Sequence, residues 1–250
     1  MKTSFSISRF GGINISIHWT FIVLAIWIFL VNFSNASVIS GLIWSAVLLI
    51  TLFASILVHE LAHLVAANYF GLYPSAIVIL PIGGVASMTS KARSHWHEFF
   101  ILLAGPLANL VIACLLIFFI HPYQAYWNES ENIGVVNAEN FLFQLQVINL
   151  SLAILNLIPA FPMDGGRMVR TVLSIKMNAV NATSIEKLIS TFIAFALIIS
   201  GIFVVNFYII VFGLFVLATI NAVKAFPSEN MQSQTKRRKY KSFQGANVNE

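Results

Sequence analysis

Apolar residues in this chain run in long, nearly unbroken blocks with short polar punctuation, unlike the alternating or three-to-four spacing of half-buried surface elements. The blocks lie at about residues 17–33, 42–67, 98–120, 141–158, 188–204 and 206–223. Asn32-Phe33-Ser34-Asn35 turns the chain after the first, and His121-Pro122 ends the third. Ser200-Gly201 and Asn206 break the last 36 or so apolar residues into two. At about 1.5 Å per helical residue, roughly twenty residues cross a ~30 Å hydrocarbon core, so each block is read as one span. Between the second and third blocks the character changes: Pro74, Pro81 and Gly83-Gly84 sit among β-branched residues from Tyr73 to Met88, which predicts short strands around a tight turn. Residues 168–187 form an amphipathic, partly basic stretch suited to an interface. The expected fold class is an all-α polytopic membrane protein of about six transmembrane helices, with a short membrane-embedded β-hairpin or small sheet after the second. Residues 1–225 make one core, and 226–250 a basic cytoplasmic tail too short to fold as a domain.

Composition agrees with the pattern. Of 250 residues, 58% are hydrophobic and 9% charged, against roughly a quarter charged in soluble domains. Asn14 and Ser16 make the N-terminus too polar for a cleavable secretory signal. The net charge of +5 points to the anionic cytoplasmic leaflet of the lipid bilayer rather than to nucleic acid. Its distribution says more. With six spans and a cytoplasmic N-terminus, all 14 Lys and Arg fall inside: Lys2 and Arg9, Lys91 and Arg93, Arg167 to Lys187, and Lys224 to Lys241. The loop at 123–140 carries Glu129, Glu131 and Glu139. Both termini are therefore expected in the cytoplasm.

The chemistry is carried by His59-Glu60-Leu61-Ala62-His63, which lies inside the second block. Residues four apart on a helix share a face, so two imidazoles can meet one zinc ion, while Glu60 sits off the metal but within reach of a proton on a water there. A lone H-E-x-x-H is a weak signal in a soluble protein. Here three ionisable groups within five positions of an apolar span would each cost on the order of 2.5–3.5 kcal/mol to insert, which calls for a compensating partner. Cys114 is the sole cysteine, which excludes intramolecular disulfides and a thiolate cluster. A third ligand must then be His, Asp or Glu. His95 and His97, two apart, do not share a face and read as interfacial. Asp164 arrives at the cytoplasmic end of the fourth block, at the depth of His59 and His63. Pro159 and Pro162 unwind the helix there, and Gly165-Gly166 permits torsions that other residues avoid. Two imidazoles and one carboxylate leave a fourth position open, as catalytic zinc sites do. The strand region offers an edge to which an extended peptide could add.

Two motifs in register, His59-Glu60-x-x-His63 and Asn156-x-x-Pro159-x-x-Pro162-x-Asp164-Gly165-Gly166-Arg167, resemble those of the site-2 proteases, a family of intramembrane zinc metalloproteases. Ile17-His18-Trp19, Leu80-Pro81-Ile82-Gly83-Gly84 and Gly105-Pro106-Leu107-Ala108-Asn109 are similar to family segments in the same order. The resemblance covers about residues 5–225. It implies one Zn2+ per chain, held by His59, His63 and Asp164, with Glu60 as general base. It further implies Asn156, Gly83 and Gly84 in substrate binding. The implied substrate is a transmembrane segment, of a membrane-anchored regulator or a signal-peptide remnant, cut near the cytoplasmic face of a bacterial inner membrane. The chain looks like a compact member lacking PDZ and CBS domains, or else a truncated one. Two rival readings are a metal or ion transporter with intramembrane His and Asp, and a catalytically silent relative that only holds substrate. No inverted repeat supports the first, and the intact motif speaks against the second.

Overall fold

The structure is a computed structural model, and it describes residues 4–10, 13–18, 20–33, 38–72, 74–80, 83–88, 94–120 and 141–222. Trp19, Pro81, Ile82, Lys91, Arg93, the loop at 121–140 and the tail at 226–250 lie outside them. Seven helices are present among the described residues: α1 Thr20–Phe33, α2 Val38–Tyr69, α3 His95–Ile120, α4 Phe141–Leu157, α5 Asp164–Leu173, α6 Ala179–Phe203 and α7 Phe207–Ala222.

The expected fold class needs correcting in two respects. Three helices among the described residues are long and apolar enough to cross a membrane, not six: Ile39–Tyr69, His95–Phe118 and Ala179–Phe203. The reason is length. Helices α1, α4 and α7 have 14, 17 and 16 residues, which at about 1.5 Å each fall short of a ~30 Å core. An apolar block marks burial in lipid or protein alike, and does not fix where a helix ends.

The second correction concerns the strands. A lone membrane-embedded hairpin after the second helix is not what forms. As backbone, β1 Ser4–Phe10, β2 Ile13–His18, β3 Pro74–Leu80 and β4 Gly83–Met88 run in the order β1-β2-β3-β4. Half of this sheet is N-terminal chain that the hydropathy blocks had assigned to no strand. Its central pair, β2 and β3, is parallel, with Asn14 opposite Ala76 and Ile17 opposite Ile79. A parallel pair needs a crossover, and the out-and-back run of α1 and α2 supplies it.

The amphipathic stretch divides differently too. Its first part is α5, while its second belongs to α6, which starts at Ala179 rather than near 188. The Asn178 side chain sets that start by accepting from the Asn181 N–H at 2.8 Å. Asn206 does the same for α7, accepting from the N–H groups of Tyr208 and Ile209 at 3.0 and 3.3 Å.

Packing positions the segment between α4 and α5. Ala160 and Met163 are buried with Ala194 of α6 and Val216 and Ile220 of α7. Ile56 of α2 and Leu152 of α4 form a second buried contact, and Ala67, Leu72 and Ile101 a third where α2 meets α3. Helix α2 is thereby fixed against both α3 and α4 just where its histidines lie.

Candidate metal centre

His59 and His63 sit one turn apart on α2 and are 2% and 7% exposed. Their Nε2 atoms are 3.1 Å apart, and Asp164 Oδ2 lies 3.2 Å from the first and 3.1 Å from the second. Among the described residues this is the group of His, Cys, Asp and Glu side chains that could hold a metal ion. Glu60, next along α2, is 3% exposed. His97 instead stacks on Phe70 with centroids 4.3 Å apart, and His95 is exposed at the start of α3.

Asp164 reaches the histidines because the chain between α4 and α5 is folded tightly against α5. The Gly-Gly pair does this in a way the sequence reading did not anticipate. Both glycines are in helical α5, and what they supply is space: a Cβ on Gly165 would come 2.3 Å from the Ile158 carbonyl oxygen, and one on Gly166 would come 2.7 Å from the Phe161 nitrogen. The Ser190 hydroxyl of α6 accepts from the Phe161 N–H at 2.8 Å and donates to the Glu186 carbonyl at 2.7 Å, tying this segment to α6. Arg167 Nη1 stands 3.9 Å from Asp164 Oδ1, so the carboxylate turns one oxygen to the imidazoles and the other toward a guanidinium.

The donor set fits zinc. His63 Nδ1 lies 2.6 Å from the Ile101 carbonyl oxygen, an acceptor only, so Nδ1 carries the proton and Nε2 a lone pair. The His63 Nε2 lone pair and Asp164 Oδ2 thus face each other beside His59 in a buried place, an arrangement that a cation relieves. Ligand atoms each about 2.0 Å from a tetrahedral zinc stand about 3.3 Å apart, close to the separations seen here. Gly105 of α3 leaves the room: a Cβ there would fall 2.3 Å from His63 Nε2 and 2.7 Å from His59 Nε2.

A family model for Peptidase family M50 matches residues 47–200, a stretch that contains the whole cluster. This chain belongs to Peptidase family M50, the site-2 protease family. It is 36% identical over 86% of its length to a zinc metalloprotease of Methanocaldococcus jannaschii, covering 59% of that protein. It is 30% identical over 48% of its length to stage IV sporulation protein FB of Bacillus subtilis, covering 38% of it. The chain therefore spans about half the length of the curated relatives it matches. Among solved structures, a site-2 protease from M. jannaschii aligns with a TM-score of 0.68 and 34% identity, over 88% of this chain and 94% of that one. Together with its apolar helices, membership makes this an integral membrane protein.

Of the remaining residues singled out in the sequence, Asn156 is buried and donates to the Leu152 carbonyl of its own helix at 2.9 Å. Gly83 and Gly84 lie in β4, an outer strand of the sheet, opposite Leu80 and Ile79. Neither is in the His-His-Asp cluster. The segment Gly105 to Asn109, similar in sequence to a family segment, also borders the cluster: Gly105 lies beside the metal position and Asn109 Oδ1 meets His59 Nδ1 at 3.0 Å. The signal was available: Asn109 is an isolated amide in an apolar span, and such a group needs a partner.

Proposed function

We propose that this protein is a zinc-dependent endopeptidase that hydrolyses peptide bonds within transmembrane segments of other membrane proteins. The observation that carries the reading is the buried convergence of His59, His63 and Asp164 beside Glu60, with both histidines on a helix long and apolar enough to cross a membrane. Zinc, when bound, supplies Lewis acidity toward the scissile carbonyl and toward water. His59, His63 and Asp164 hold the ion, and Arg167 neutralises the outer oxygen of Asp164. Glu60 takes a proton from the attacking water and returns it to the leaving amide nitrogen. The edge strand β4, through Gly83 and Gly84, accepts the locally unwound substrate by main-chain pairing, and Asn156 helps hold it. A substrate helix must open to expose its carbonyls, so Gly, Pro or Asn near the cut favours cleavage.

The cluster lies toward the cytoplasmic face of the plasma membrane, a reading supported by Arg167, Arg170, Lys176 and Lys187, which follow Asp164 in sequence. Substrates of this class include membrane-anchored regulators and signal-peptide remnants, so the activity serves regulated intramembrane proteolysis. The test is cleavage of a single-span substrate in proteoliposomes, with cut sites mapped by mass spectrometry. Cuts should fall in the cytoplasmic half of the span, stop on treatment with phenanthroline and resume with added zinc. Cleavage only in soluble loops, or cleavage indifferent to chelation, would sink the proposal.

A further inference from the structure

We propose that Ser55, Asn109 and Asn149 form a directed hydrogen-bond chain that fixes His59 in its Nδ1–H tautomer, making them positioning residues that set the affinity of the metal centre.

The chain begins at an atom with no choice of role. The Leu145 carbonyl can only accept, and Asn149 Nδ2 lies 2.9 Å from it. The same NH2 group reaches the Ser55 hydroxyl oxygen at 3.2 Å. Asn149 must therefore turn its Oδ1 toward Asn109, whose Nδ2 donates to it at 3.1 Å. Asn109 Nδ2 also faces the Ser55 main-chain carbonyl at 3.5 Å, again an acceptor only. Asn109 is thus left with its oxygen toward His59 Nδ1 at 3.0 Å, and a lone pair there requires the proton on Nδ1. His59 Nε2 is then free of hydrogen and turned to the metal position.

Helices α2, α3 and α4 each contribute one member, so the tautomer is settled by the packing of three helices. Asn109 and Asn149 are 0% and 1% exposed, which leaves no solvent to satisfy a reversed amide. A neutral imidazole left to itself takes the Nε2–H form more readily, which would aim a proton at the metal. His63 needs no such chain, because the Ile101 carbonyl sets its tautomer directly. The two ligands are thus built differently, and His63 is an internal control. The proposal rests on zinc binding at this cluster and is independent of what the protein cleaves.

The test is nitrogen-15 NMR of the histidine side chains in the full chain in detergent micelles, metal-free and zinc-loaded, paired with zinc competition titrations. Wild-type His59 and His63 should both be protonated at Nδ1. Asn149→Leu should move His59 to a tautomer mixture, leave His63 unchanged and weaken zinc binding about 10- to 100-fold, the range for a lost outer partner of a ligand. Ser55→Ala, a milder change, should shift His59 in the same direction and by less. Wild-type His59 protonated at Nε2 overturns the proposal without any variant. So does a folded Asn149→Leu with unaltered His59 signals and zinc affinity. If wild type shows the Nδ1–H form but binds no zinc, the metal assignment fails and the chain itself stands.

Discussion

Replacing Gly105 by alanine puts a methyl carbon 2.3 Å from His63 Nε2, 2.6 Å from His63 Cε1 and 2.7 Å from His59 Nε2. Ordinary van der Waals contact begins near 3.4 Å, so the His63 ring would have to retreat by about 1.1 Å. It has nowhere to go cheaply. Its Nδ1 is held by the Ile101 carbonyl at 2.6 Å, and breaking a buried hydrogen bond costs about 1–3 kcal/mol. The methyl group also enters the space between the two ligand nitrogens. Taking the upper part of that range, roughly 2.7 kcal/mol, zinc affinity should fall about 100-fold. The helix itself should gain, since alanine exceeds glycine by about 0.8–1.0 kcal/mol in a helix interior such as that of α3. Loss of zinc affinity in a protein whose metal-free form still folds and melts cooperatively, though earlier than wild type because the crowding cost exceeds that gain, separates a blocked site from an unfolded one. Chelator-competition titration and a metal-free thermal melt of the purified full chain would read both. A Gly105→Ala variant that binds zinc within about threefold of wild type would refute the placement of the metal beside α3.

Ser190→Ala removes the acceptor for the Phe161 N–H and should destabilise the protein by about 1–3 kcal/mol, with faster hydrogen exchange at Phe161; an unchanged melting temperature and exchange rate would count against this tie. Gly165→Ala brings a Cβ within 2.3 Å of the Ile158 carbonyl oxygen, which is backbone and cannot turn aside, so the segment that delivers Asp164 should shift and zinc content fall in metal analysis. Val205, 89% exposed and at φ 53°, carries a left-handed backbone that suits glycine. Val205→Gly should relieve roughly 1 kcal/mol and raise the thermal midpoint by about 2–4 °C.

The His59-Glu60-His63 part of the site is legible in sequence because both its spacing and its cost are local: one helical turn, and charge in an apolar run. Asp164, 101 residues beyond His63, became legible through topology, since the charge pattern put both on one side. The supporting shell did not. Ser55, Asn109 and Asn149 are polar residues scattered through three apolar helices, and their partners lie 40 to 94 residues away. Spacing along one helix says nothing of such contacts. The role of Gly105 is hidden for a related reason, because a close approach looks the same in sequence whether a helix or a metal occupies the gap. For the N-terminal strands the signal was overlooked: Ser4, Ser6 and Ser8 alternate with Phe5 and Ile7, the period-two pattern of a strand. Hydropathy blocks found each long helix but counted six spans where three of the described helices are long and apolar enough to cross, since apolar content reports burial and not length.

The most direct test pairs purified, zinc-loaded full chain with its Glu60→Gln variant on a lipid-embedded single-span substrate, weighing products by mass spectrometry and counting zinc per chain. Wild type should hold one zinc and yield two fragments whose masses sum to substrate plus one water, while Glu60→Gln should hold the same zinc and yield none. Cleavage by Glu60→Gln at the wild-type rate would contradict the assignment of Glu60 and of the metal centre as the hydrolytic site.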